Sequence, residues 1–419
     1  MSSLRASTTT VKGPSPAHRS TAAQGGFSLI ELMVGLAVGL IVILVVTQTL
    51  AIFEGQKRTT TSGADAQQSG LLSLFSIEQD VRNAGAGFNS IQAFSCVNFF
   101  SYYKANATAT ATTNQSFTPV PVLIQDGGTG PGANSDQIIV RYGTEFTGSV
   151  PSRLLNPLAS ATPPFSLVVE RTYDFTTNDL VVLVDPTFTN CTLMRVTGIN
   201  LPLRQLDVAS GQYPEYNPAT LPTLTPPWPT SFPQNSWVFR VGTTTGGGVG
   251  SRTYSIDANR SLQVVDSANP ATPDILANGI VNLQAQYGLS NTANTKDVTS
   301  WVNATGAFVD TTLTGAGGVA DRQRIKAIRL AIVARSSNRE PGLVTTQCTA
   351  IDNAIPPVRP DCACQGATTN YGPCAWRDIG GTAGPRIDLR SAAGDTEWQH
   401  YRYKVYQTMI PLRNSLWPY

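Results

Sequence analysis

Histidine is almost missing from this chain: of 419 residues, only His18 and His400 are histidine. A multi-histidine metal site is therefore excluded, and a Ser-His-Asp arrangement cannot be placed. Charge is scarce too, at 13% of residues. The first 26 residues hold Arg5, Lys12 and Arg19 and no acid, so the rest of the chain sets 26 basic residues against 27 acidic ones. A nearly neutral chain has no bulk electrostatic reason to bind nucleic acid, and none is expected as a partner. The glycine-rich run Gly246–Gly250 lacks the Gly-Lys-Ser/Thr ending of a phosphate loop and a clear following helix; it reads as a hairpin turn. Acidic pairs occur, but none sits in a recognisable catalytic motif. No enzyme activity and no cofactor are expected.

The most telling absence is local. From Phe27 to Phe53 the only charged residue is Glu31. Leu32 to Val46 is a run of 15 uncharged residues, nearly all aliphatic or glycine. About twenty apolar residues suffice to span a bilayer, so Phe27 to Phe53 can do so. The basic residues before it favour a cytoplasmic N-terminus and place the bulk of the chain outside. An ordinary secretory signal is opposed by the length of the run, by the charge inside it and by the want of an A-x-A site. A plain anchor gains nothing from Glu31: an acidic residue in a membrane helix costs roughly 2.5–3.5 kcal/mol at the centre and less toward an end. Glu31 thus reads as a group awaiting a partner. The bland reading is a carboxylate snorkelling to the headgroups.

What is present sharpens this. A polar, basic leader ends in Gly25-Gly26, and Phe27-Ser28-Leu29-Ile30-Glu31 follows. This segment resembles the prepilin leader and N-terminal helix of type IV pilins and type II secretion pseudopilins. The resemblance implies cleavage by a prepilin peptidase between Gly26 and Phe27, with methylation of the new Phe27 amine. It also implies that Glu31 meets the N-terminal amine of a neighbouring subunit and sets register. A buried carboxylate facing an ammonium is offset by attraction; either group alone is not.

After Phe53 the composition turns polar but stays compatible with helix. Leu74, Ile77, Val81 and Ala84 share one helix face, and Leu71 extends the stripe backward. Gly85 and Gly87 supply a stop. The pattern predicts one helix from Phe27 to about Asn83, on the order of 85 Å long, with softness at Gly55, Gly63 and Gly70. The stretch Asp80-Val81-Arg82-Asn83-Ala84-Gly85 resembles the D-x-R-x-A-G signature of the PilW family of minor pilins and of J-type pseudopilins, although Ala86-Gly87-Phe88 departs from the usual continuation. A solvated helix face is the alternative for Asp80 and Arg82.

From Asn89 onward, short β-branched or alternating runs are separated by Gly/Pro/Asn/Asp clusters, the pattern of β-rich structure. Expected strands are 137–142, 166–171, 180–184, 193–196, 237–241, 252–256, 261–265, 325–334 and 401–412. The 325–335 run has two distinct faces and reads as a half-buried antiparallel strand. A helix or helical turn is expected near Ile275–Ala285. Several runs resemble PilW segments: 135–142, 179–185 with Cys191 following, 276–288, 328–336 and 401–414. Seven prolines between Pro214 and Pro233 predict a looped insertion or a divider of the head. Trp228 and Trp376 could meet a ligand, but core or loop packing is the commoner fate.

Six cysteines behind an export signal point to disulfides. Six can pair in 15 ways, and sequence does not choose among them. Cys348, Cys362, Cys364 and Cys374 cluster in one loop; they lack paired C-x2-C knuckles, so disulfides are favoured over zinc. Cys362 and Cys364 are too close to pair with each other, so each is expected to bond to Cys348 or Cys374. Cys96 and Cys191 then form the remaining bridge.

The expected organisation is a leader (1–26), a transmembrane and filament-core helix (27–53), an amphipathic continuation (54–84) and a β-rich head (85–419), with a proline-rich insertion at 214–233 and a cysteine-rich loop at 348–374. The expected fold class is α+β and type IV pilin-like, a long N-terminal helix on a disulfide-bonded head. The resemblance implies a minor pilin acting in priming or in the tip complex. Its partners would be other minor pilins, the major pilin, the prepilin peptidase and the inner-membrane assembly platform. It would sit in the inner membrane, head in the periplasm, and then in the pilus. A J-type pseudopilin of a type II secretion system, a pilus-tip adhesin and an enzyme on a pilin-like anchor are the rival readings.

Overall fold

The computed structural model describes residues 28–87, 96–113, 120–128, 135–143, 150–244, 249–267, 269, 271–346, 348–349, 369–373, 375–376 and 387–416. One helix of 55 residues, Leu29–Asn83, opens the fold. It runs unbroken through Gly55, Gly63 and Gly70. The chain divides into two units at Lys57–Arg58.

In the second unit the helix lies on β structure. Ile77, Val81 and Ala84 are buried as the spacing predicts, and Leu74 packs beside them. Leu71 does not extend the stripe; it is 57% exposed. The buried face continues instead through Ser73, Gly70, Ala66 and Ser62. These are small residues, invisible to a search for hydrophobic periodicity. They let the helix approach closely: a Cβ on Gly70 would lie 2.2 Å from a ring carbon of Tyr406. The helix ends where Gly85 and Gly87 take φ of 75° and 81°, a left-handed conformation that glycine adopts without steric cost.

Two antiparallel sheets share the core with this helix. The first orders its strands as Asp274–Asn278, Ser261–Asp266, Val249–Ile256, Gln137–Gly143 and Val122–Gln125. The second orders Ser300–Val302, Ile280–Leu289, Ile325–Arg335 and Tyr403–Pro411. The helix expected near Ile275–Ala285 is thus two strands. Gly279, at φ 75°, breaks the chain between them. Leu283, Ala285, Tyr287 and Leu289 then alternate into the core, while Asn282, Gln284 and Gln286 are buried on the other face. Long-range pairing with Ile325–Arg335 overrides the helix propensity of these residues.

The strand Ile325–Arg335 is paired antiparallel on both sides, but it is not half-buried. Only its last residue escapes full burial. Its second face is covered by Ala375, Trp376 and Ile387, which meet Ala331 and Val333. Arg329 lies between two rings there, 4.9 Å from Trp301 and 4.6 Å from Trp376. A guanidinium over aromatic faces keeps favourable electrostatics while giving up water.

A further five-stranded sheet orders Asn98–Phe100, Asn190–Arg195, Asp179–Val184, Trp237–Thr243 and Ser152–Arg153, with Asn98–Phe100 the parallel member. Its central strand is apolar on both faces because both are covered. Val181 and Leu183 join one core; Leu180, Val182 and Val184 join another. A three-stranded sheet of Gly198–Asn200, Gln205–Val208 and Phe165–Val168 closes the first of these. The strands Trp237–Thr243 and Val249–Ile256 belong to different sheets. They therefore do not pair as the two arms of the expected hairpin; residues 245–248 between them lie outside the described residues. The proline-rich 214–233 stretch is held to the cores: Trp228 packs on Phe100 at 5.3 Å, and Phe232 is 1% exposed. Neither Trp228 nor Trp376 is available to a ligand, at 4% and 0% exposure.

Asp136 stitches the two helix-bearing sheets together. Its carboxylate accepts the N–H groups of Gly127 at 3.0 Å and Ala285 at 2.8 Å. Burial pushes its pKa from 3.8 to about 7, with Asp126 adding to the rise and the two N–H donors opposing it. The folded protein therefore holds a proton that the unfolded chain releases between those values, so stability falls as pH rises through that window. Burial also raises Asp179, although Thr176 and Arg240 oppose the shift. The unfolding temperature of the mature protein should decline from about pH 4 to about pH 7. Asp136→Asn should flatten that decline without removing it, which a melting series across pH would check.

Candidate functional site

The candidate site begins at the N-terminal turn of the helix. The Leu32 N–H donates to the Ser28 carbonyl at 3.1 Å, and Glu31 lies in the first turn. A carboxylate there complements the positive end of the helix dipole. Gly26 and Phe27 lie outside the described residues. From Leu29 to Phe53 the large apolar side chains are exposed; Leu29 is 79% exposed and Phe53 62%. This part of the helix is long and apolar enough to cross a membrane. Its two threonines return their hydroxyls to the helix backbone, Thr47 to Leu44 and Thr49 to Val45, at 2.9 and 2.8 Å. That pairing satisfies groups which would otherwise be unpaired in lipid or among other helices.

Glu31 does not stand on a uniform cylinder. Gly35 and Gly39 follow at four-residue steps, so all three share one strip of the helix. Leu32, Leu36, Leu40 and Ile43 border that strip and form a shallow groove with it. A Cβ placed on either glycine would meet nothing within 4 Å. Small residues at such spacing let a second helix backbone approach closely. The arrangement offers one acidic group at the end of a shallow groove, within an otherwise apolar surface.

The far end of the helix is a second constellation, and here the sequence concealed the partners. Asp80 is not a solvated residue. Its carboxylate accepts Arg252 Nη1 at 3.1 and 3.2 Å and the Tyr254 hydroxyl at 2.5 Å. Asp80 pushes the Tyr254 hydroxyl further up than burial alone does, and it raises Arg252 against the effect of burial. Arg82 instead pairs along the helix with Glu78. Ala84 is 1% exposed, and its carbonyl accepts the Asn414 amide at 2.9 Å. Gly85 donates to Arg141 at 2.8 Å, and Gly143 donates to Ala86 at 2.7 Å. The D-x-R-x-A-G stretch thus fastens the helix end to the first sheet and to the C-terminal segment. Partners 172 and 174 residues away leave no trace near Asp80 in the sequence.

Cys96 and Cys191 form a disulfide, with their Cα atoms 5.9 Å apart. It sits at the start of the parallel pairing, where Phe99 faces Cys191. The Cys96 carbonyl accepts Arg322, a buried residue that also donates to Leu313 and Gly315. Burial lowers the Arg322 pKa to about 10. The expected pairing of Cys348, Cys362, Cys364 and Cys374 falls on side chains outside the described residues. Among the described residues no cluster of three or more His, Cys, Asp or Glu is placed to hold a metal.

Two family comparisons agree with this geometry. Residues 21–47 match the prokaryotic N-terminal methylation motif. Residues 239–414 match the family of the type IV pilus-assembly protein W, abbreviated PilW. Comparison with curated proteins and with solved structures gave no match. The second match covers the two helix-bearing sheets from Val249 onward and the Arg252 and Tyr254 that hold Asp80. The chain thus matches the PilW family of type IV pilins over the later part of its head and a prepilin-type segment at its N-terminus, where the long helix begins.

Proposed function

We propose that this pilin acts in priming pilus assembly or in the complex at the pilus tip, and that it has no catalytic role. The observation that carries the proposal is Glu31 at the end of a glycine-bearing groove on an exposed apolar helix. Prepilin peptidase removes the leader after Gly26, and Phe27 becomes the methylated N-terminus. The protein then waits in the inner membrane with its head in the periplasm. Assembly follows when Glu31 accepts the Phe27 amine of a neighbouring minor or major pilin at the assembly platform. Chain length supports a priming or tip position, because a head of this size is bulky for a subunit repeated along a thin filament.

A J-type pseudopilin of a type II secretion system would use the same helix chemistry. Deleting the gene separates the two. Surface pili should fall to near zero while secretion of exported enzymes stays at the wild-type level; loss of secretion with normal piliation would favour the pseudopilin.

A further inference from the structure

The head holds a cleft of about 530 Å³ that the assembly role does not use. Its floor is the end of the four-stranded sheet at Val281, Arg335 and Tyr403, and its walls are the Asp257–Arg260 turn and the 388–401 segment. Arg260 and Arg335 both line it. The Arg260 carbonyl accepts the Ile280 N–H at 2.9 Å, and the Arg335 N–H donates to the Gly279 carbonyl at 2.7 Å. Their backbones therefore flank one turn, where Gly279 lets two sheets meet.

Among the described residues neither guanidinium has a carboxylate within ion-pair distance, although the Arg260 charge joins the Ser391 and Glu397 hydrogen bonds in lowering the Asp395 pKa against burial. Arg335 stacks 4.0 Å from the centroid of Tyr401, and its buried Nε has no hydrogen-bond partner. The carboxylates, by contrast, are held. Asp388 takes Arg390 at 2.7 and 3.0 Å. Asp395 accepts the Ser391 hydroxyl at 2.7 Å and the Glu397 N–H at 2.8 Å. Glu397 takes Arg339, and Asp257 accepts the Ser261 N–H.

The ligand chemistry follows from this division. Two forked donors without an ion-pair partner among the described residues select a planar acceptor anion, which a carboxylate supplies. The fixed carboxylates are only partly filled, since each can accept about four hydrogen bonds, so they can receive hydroxyl donors. Tyr403 and Val281 offer apolar surface to C–H groups. Four carboxylates against three arginines in the lining oppose a polyanion as a whole. We propose that this cleft binds a carboxylated sugar, a uronate unit of a polysaccharide, with Arg260 and Arg335 clamping its carboxylate. The proposal stands independently of the assembly role.

The test is calorimetric titration of the full mature protein in detergent with the methyl glycoside of galacturonate, which carries one carboxylate, beside the neutral methyl galactoside and inorganic phosphate. The galacturonoside should saturate the protein, and the galactoside should bind at least about tenfold more weakly. Arg260→Gln, whose side chain makes no ion pair among the described residues, should weaken the galacturonoside about tenfold at an unchanged melting temperature. Arg335→Lys keeps the charge but loses the fork, and should weaken it likewise. No saturation by about 10 mM would overturn the proposal. So would the galactoside binding as tightly, phosphate competing as well as the sugar, or both variants binding like wild type.

Discussion

Glu31→Ala protein is expected to enter the membrane and lose its leader normally, yet fail to join the pilus. Removing the charge makes the segment more apolar, so insertion should be at least as favourable. The Gly26–Phe27 junction is untouched, so cleavage should continue. What changes is the encounter between helices. On the proposed pairing, a neighbour's amine and Glu31 compensate each other in surroundings without water. Without Glu31 that ammonium is left alone, and unpairing one member of a buried ion pair costs about 3–5 kcal/mol. In an assembly equilibrium this is on the order of a hundredfold or more. Glu31→Gln keeps the shape without the charge and should fail to a similar extent. The check is co-purification of each variant with partner pilins, scored beside its cleavage state and the number of surface pili. Wild-type incorporation and piliation in both variants would mean that Glu31 only snorkels and that the head directs assembly.

The second large effect is expected in the head. Cys96 and Cys191 are 95 residues apart in sequence, so their bond closes a long loop of the unfolded chain. Removing such a bridge typically costs about 2–5 kcal/mol. The double variant Cys96→Ser/Cys191→Ser leaves no unpaired thiol to exchange with the other cysteines. Arg322 still holds the Cys96 carbonyl, and the parallel pairing of Asn98–Phe100 remains available, so the fold should survive with lower stability. Denaturant unfolding followed by tryptophan fluorescence should show an earlier midpoint and a somewhat steeper slope, because the unfolded chain is freed to expand. Trp228 packs on Phe100 within the affected sheet and reports the change directly. An unchanged midpoint would mean that the surrounding core alone fixes this segment.

Legibility in the sequence followed the reach of the interactions. The helix and its stop were readable because they rest on local facts: an apolar run, then Gly85 and Gly87. The strands at 137–143, 179–184, 237–243 and 325–335 were readable because β-branched runs bounded by turn residues carry a strong local signal. Long-range compensation was hidden. Ile280–Leu289 contains good helix formers and became a strand because Ile325–Arg335 offered a full ladder. The polar face of that strand is buried as well, where Gln286 accepts from Arg329 while Trp301 and Trp376 flank the guanidinium. A solvated helix face was one reading of Asp80, and only Arg252 and Tyr254 from the first sheet decide against it. Leu71 looked like core, but the helix is pressed to the head through Gly70 and Ala66, where size and not hydrophobicity decides the contact. Glu31 was legible for the opposite reason: a lone charge in an apolar run is costly in any surroundings, so its presence alone demands an explanation.

Mass spectrometry of the pilus fraction sheared from cells should find this chain there, far below the major pilin in amount, with an N-terminal peptide that begins at N-methylated Phe27. A chain that stays in the membrane fraction with its leader intact, while the same cells process and assemble their major pilin, would contradict the proposed role.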